Sequence, residues 1–162
     1  MFQTRQFRIH HGKTTKVRAW IAAKAPGSAP PVPDPKSRLT VVSVPATTNW
    51  IATGIHLKGI DELAISAAGV IQASSESRIY YHDVPPEGRE ERLPQFPFPT
   101  LPGLALVARI GDGPAFYVGK ELRTKLTLKE GNDELFLGIN DDLVDDNSGN
   151  WTVQIITRMT GN

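Results

Sequence analysis

Short apolar, β-branched runs broken by turn residues recur along almost the whole chain, and this pattern predicts strands rather than helices. "QFRIHH" (6–11) and "TKVRAWIA" (15–22) are separated by "GK", a candidate hairpin. "LTVVSV" (39–44), "NWIATGIHL" (49–57) and "DELAISAAGVI" (61–71) follow, with a turn around Lys58–Gly59. The runs resume at "LALVARIG" (104–111), "AFYVG", "LRTKLTL", "ELFLGI" and "WTVQIITRM", with "GDGP" (111–114) and "GND" (131–133) supplying turns. No long stretch carries the 3.6-residue apolar period of an amphipathic helix. Strands this short and this regularly punctuated predict an all-β fold, an antiparallel β-sandwich or jelly roll with an N-terminal β arm.

Proline divides the pattern. Five prolines fall within residues 26–35, which predicts an extended, semi-rigid connector and the best domain boundary in the chain. Residues 1–38 then form a basic hairpin arm with a Pro-rich linker, and residues 39–162 the sandwich. Six more prolines lie between Ser75 and Gly103, so neither a helix nor a central strand is expected there.

Charge sharpens the division. The net charge is +1, yet residues 1–40 hold eight Lys/Arg against Asp34 alone, leaving ten basic and sixteen acidic residues in the rest. A basic arm on an acidic body is suited to lying against that body or to docking on a protein partner. It carries no reading motif for nucleic acid, which argues against that partner. The absence of cysteine excludes disulfides and thiolate metal sites. No run reaches the length of a membrane span, and the N-terminal residues lack the apolar core of a signal peptide. A cytoplasmic product is the default expectation, with non-classical export or release by lysis left open.

The strongest chemical signal is "INDDLVDDNSGNW" (139–151), which places Asp141, Asp142, Asp145 and Asp146 with three asparagines between two strand-like runs. Crowded carboxylates repel, and a bound cation relieves that repulsion. Calcium takes six to eight oxygens from carboxylates, amides and backbone carbonyls, and a tight loop with Asp141, Asp145, Asp146 and Asn147 offers several. The same residues are also ordinary turn formers. The EF-hand pattern is absent, so a calcium site here belongs to another class. Catalytic signatures are missing too: there is no phosphate loop, HExxH or nucleophile elbow, and neighbouring carboxylates in a solvated turn lack a pocket that would split their pKa values. A non-enzyme is expected.

Ordered pieces of the chain carry a family resemblance: "TGIHLKGIDELAISAAG" (53–69), "PEG" (86–88), "LALVARIG" (104–111), "LFLGIND" (135–141) and "DNSGNW" (146–151). Residues from about Leu39 to Met159 thus resemble the PA-IL-like bacterial galactophilic lectins, small calcium-dependent β-sandwich proteins. The resemblance implies a galactose-binding lectin in which one calcium directly ligates two sugar hydroxyls. By position, Asp141 matches the first loop ligand, and Asp146 and Asn147 match the pair before Ser-Gly. Asp145 sits where a loop oxygen is supplied, and Asn140 precedes the first ligand. The departures are specific. The loop between Asp141 and Asp146 is shorter than in the family. "VIQA" replaces an aromatic position, so the carbonyl of Gln72 or Ala73 would complete the metal shell. Leu93 stands where a sugar-contacting His is expected, with Gln95 as a substitute. His82, beside Asp83 in the loop "YYHDVPPEG", is a further candidate contact to the sugar. A galactoside ligand, calcium and a homo-oligomer are therefore expected. The alternative is a structural or adaptor subunit of a larger bacterial or phage-like assembly, docked through residues 1–38.

Overall fold

The computed structural model describes residues 34–76, 78–127 and 133–160. The two strand-like runs of the arm and most of the 131–133 turn lie outside the described residues. Among the described residues nine strands form, in chain order: β1 (Ser37–Pro45), β2 (Trp50–His56), β3 (Glu62–Ala68), β4 (Ile71–Gln72), β5 (Leu106–Ile110), β6 (Phe116–Tyr117), β7 (Glu121–Lys125), β8 (Glu134–Ile139) and β9 (Ser148–Arg158). Single 3-10 turns occur at Ile79–Tyr81 and Val144–Asp146. No helix among the described residues is long and apolar enough to cross a membrane.

Two antiparallel sheets face each other. One has the order β1-β9-β3-β7, with β4 pairing the start of β9, and the other has the order β2-β8-β5-β6. Side-chain alternation decides which face is buried. In β9, Trp151, Val153 and Ile155 point inward while Thr152, Gln154 and Ile156 point outward. Leu63 and Ile65 of β3, Val44 of β1, and Leu135, Leu137 and Ile139 of β8 complete the inner layer. The all-β sandwich read from the sequence is therefore the observed fold.

Trp151 is fully buried and its indole N–H donates to the Val84 carbonyl at 3.2 Å. Val84 in turn bridges Ile71. The long proline-rich passage is thereby pinned to the sandwich without forming a strand. Gly88 closes the same region. It has φ +73°, and a Cβ there would lie 2.6 Å from the Ala105 nitrogen, so only glycine lets these backbones approach. Phe96 is core, and Tyr80 and Tyr81 pack against the core, so these aromatics cap the sandwich.

Trp50 lies outside this core. Its partner Gly138 lies on the outer face of β8, and Trp50 is half-buried there. It meets Phe98 edge-on with centroids 5.7 Å apart, and the Arg109 guanidinium lies 5.0 Å from its ring and 4.7 Å from that of Phe136. Register, rather than hydrophobicity, put Trp151 inside and Trp50 outside.

Candidate functional site

The acidic stretch is shorter as a loop than its composition implies. Ser148 and Gly149 already belong to β9, because they pair with Gln72 and Ile71 of β4. This pairing brings the 71–76 segment beside Asn147. Such a neighbour is invisible in the sequence, where the two segments are far apart.

Asp141 and Asn147 are both buried. The Asn147 Nδ2 group donates to Asp141 Oδ2 at 2.7 Å and to the Ala46 carbonyl at 3.0 Å. Two acceptors on one side fix the amide orientation and turn Oδ1 the other way. The Leu143 N–H donates to Asp141 Oδ1 at 3.3 Å. Burial pushes the Asp141 carboxyl above its ordinary range; donation from Asn147 and Leu143 opposes that shift, and the neighbouring Asp142 adds to it.

Asp146 completes the group. Ser74, itself buried, donates from Oγ to Asp146 Oδ2 at 2.8 Å and accepts the Glu76 N–H at 3.1 Å. The other oxygen, Asp146 Oδ1, and Asn147 Oδ1 are both buried with no hydrogen-bond partner. Buried oxygens without donors are rare and carry a desolvation penalty that a cation offsets. The donor set is all oxygen, which suits a hard cation such as calcium. Among the described residues no three His, Cys, Asp or Glu side chains group to hold a metal. A cation at this place would therefore draw on carboxylates, one amide and backbone carbonyls together.

The other predicted residues separate by role. Asn140 is fully buried and its amide holds the 98–102 loop: Oδ1 accepts the Phe98 N–H at 3.0 Å, while Nδ2 donates to the carbonyls of Phe98 (3.0 Å) and Pro102 (2.9 Å), with Leu101 at 3.4 Å. It orients a loop and offers no free group to a ligand. Gln95 is exposed, three residues before Phe98 in the same passage. Ala73 is buried and its N–H donates to the Tyr81 carbonyl, so this segment is rigidly set beside Ser74. The Gln72 side chain meets His82 Nδ1 at 2.6 Å, and His82 Nε2 lies 2.9 Å from the Glu76 carbonyl. A carbonyl only accepts, so Nε2 carries the proton and Nδ1 accepts from the Gln72 amide. Both ring nitrogens are engaged, and His82 acts here as a brace of the 72–82 loop. Asp145 is exposed, as are Asp142 and Leu143.

Sequence reasoning missed Ser74 and the Ala46 carbonyl. Neither carries a local signal, since a serine after "QA" and an alanine after a proline gain meaning only through strand pairing.

The two-sheet antiparallel sandwich resembles a lectin domain. Among solved structures, the chain is similar to the N-terminal domain of EclA, a PllA-like lectin, with 26% identity and a TM-score of 0.55 over 73% of this chain and 95% of that one. No family model matches the chain, and no curated protein does.

Proposed function

We propose that this chain is a carbohydrate-binding lectin module that depends on calcium and prefers galactose-type sugars. The observation that carries the reading is the pair of buried, donor-less oxygens on adjacent residues, Asp146 Oδ1 and Asn147 Oδ1, with Asn147 hydrogen-bonded to the buried Asp141 carboxylate. Asp141, Asp146 and Asn147 would hold the cation through side chains, with a backbone carbonyl from the Gln72–Ala73 segment. Asn147 binds Asp141 at 2.7 Å and so keeps the two groups in register. Ser74 holds the second oxygen of Asp146 and leaves the first free. A calcium ion held there would offer its remaining coordination positions to sugar hydroxyls. The similarity to a lectin domain supports the sugar as ligand class. Preference for galactose would follow from hydroxyl geometry at the cation, with the 98–102 loop held by Asn140 beside Asp141.

The adaptor alternative rests on residues 1–38, of which 1–33 lie outside the described residues, and no observation favours it. Calorimetry with galactose and with glucose, each with and without calcium, tests the lectin reading. Heat with galactose that vanishes under chelation is expected, together with a calcium-dependent rise in melting temperature. A melting temperature indifferent to calcium would remove the metal site. A calcium response without heat from either sugar would remove the ligand.

A further inference from the structure

Every sheet has two edges, and a long, regular, apolar edge invites another strand. Three edges of this sandwich are blunted. The outermost strand β7 exposes Glu121, Arg123 and Lys125. In β2 the register shifts between Ala52 and His56, around Gly54 at φ +70°. The strand β6 is two residues long. Strand β1 carries its one charge, Arg38, and its one proline, Pro45, near its two ends, and none of these protections in between. It runs nine residues in unbroken register with β9, and among the described residues it pairs with no other strand.

The hydrogen-bonding polarity of β1 is fixed at both ends. The Lys36 carbonyl accepts from Met159 and the Ala46 N–H donates to Gly149, so even-numbered residues turn their backbone groups to β9. In an antiparallel strand the alternate residues then turn theirs outward. These are Leu39, Val41 and Ser43, flanked by Ser37 and Pro45. Their side chains are also on the outer face, where Leu39 and Val41 are each 58% exposed and Ile156, the β9 partner of Leu39, is 41% exposed.

We propose that β1 is the seam of a twofold homodimer, in which it pairs antiparallel with β1 of a second copy about an axis through Val41. This register is self-complementary. Val41 meets Val41 of the second copy, and Leu39 meets Ser43, each pair exchanging both backbone hydrogen bonds. The ladder ends where donors run out on both sides: Ser37 already donates its N–H to Asp34, and it falls opposite Pro45, which has none. The charges match as well. Lys36 and Arg38 fall opposite Ala46 and Val44 of the other copy, so no like charges meet across the seam. Leu39, Val41 and Ile156 of both copies join side by side into one continuous apolar stripe on the outer face. An isologous contact of this kind closes on itself and does not propagate.

The test uses the full chain in sedimentation velocity over a concentration series. The wild type is expected to sediment as a dimer. Val41→Lys and Val41→Glu each set like charges on the axis and are expected to give monomers, with unchanged circular dichroism because the side chain is exposed. An equimolar mixture of the two is expected to restore dimers, a result that misfolding cannot imitate. Thr152→Lys, an exposed change on the outer face of the inner strand β9, is expected to leave the dimer intact. Since the chain has no cysteine, Val41→Cys should cross-link on oxidation while Leu39→Cys should not. A monomeric wild type, a dimer that survives Val41→Lys, or a mixture that stays monomeric would each overturn the proposal.

Discussion

Asn147 donates its side-chain amide to the Asp141 carboxylate at 2.7 Å, while the oxygen of the same amide is buried and meets no donor. One residue thus closes one side of the group and opens the other. The donation holds a buried carboxylate in place, and the free oxygen leaves an electronegative position between segments that only the fold brings together.

Asp141→Asn keeps shape and removes charge. Calcium-dependent stabilisation and sugar-binding heat should both disappear. The apo protein should melt at the same temperature or higher, because the ionised carboxylate is disfavoured by burial in the native state. Differential scanning calorimetry with and without chelator measures both effects.

The pH dependence follows from the same shift. The folded-state pKa of Asp141 lies above its unfolded value, so the native state binds more protons in the window just above the ordinary carboxylate range. Apo stability should therefore fall as pH rises through that window and level off above the folded pKa. The stabilisation by calcium needs the ionised carboxylate, so it should grow with pH over the same interval. Melting curves at stepped pH, with Asp141→Asn as the flat reference, separate the two trends.

Ser74→Ala removes the donor to Asp146 Oδ2 and the acceptor for the Glu76 N–H. A residue that orients a ligating carboxylate typically contributes roughly 10–100-fold in metal affinity, and a loss of that order is expected in a calcium titration. Comparable calcium affinity in the variant would show that Asp146 takes no part.

Asn140→Ala should destabilise the fold by on the order of 3 kcal/mol, since it strips partners from the Phe98 N–H and from the Phe98 and Pro102 carbonyls in the 98–102 loop. Urea denaturation gives the value. A near-neutral result would mean that this loop repacks without its clamp.

Gly88→Ala tests the close approach at Ala105. The left-handed backbone and the blocked Cβ position together predict a loss of more than about 1 kcal/mol. The same denaturation series reads it.

Much of this was legible in the chain. Short β-branched runs with glycine and proline punctuation determined the strand inventory, because strand period and turn chemistry are local properties. The crowding of Asp141, Asp146 and Asn147 was equally local, and it marked the loop where the oxygens meet. The tertiary structure decided what each of those residues does. The β4–β9 pairing started the last strand at Ser148 and drew Ser74 to Asp146, a contact between residues 72 positions apart. The burial of Asn140 turned a ligand-side candidate into a clamp, and two ring contacts turned His82 into a brace. Sheet register placed Trp151 inside and Trp50 outside, and left β1 as an edge with no further strand among the described residues. Composition and spacing can name the groups that have the right chemistry. Their orientation, burial and partners depend on contacts between distant segments, and only the packed sandwich sets those.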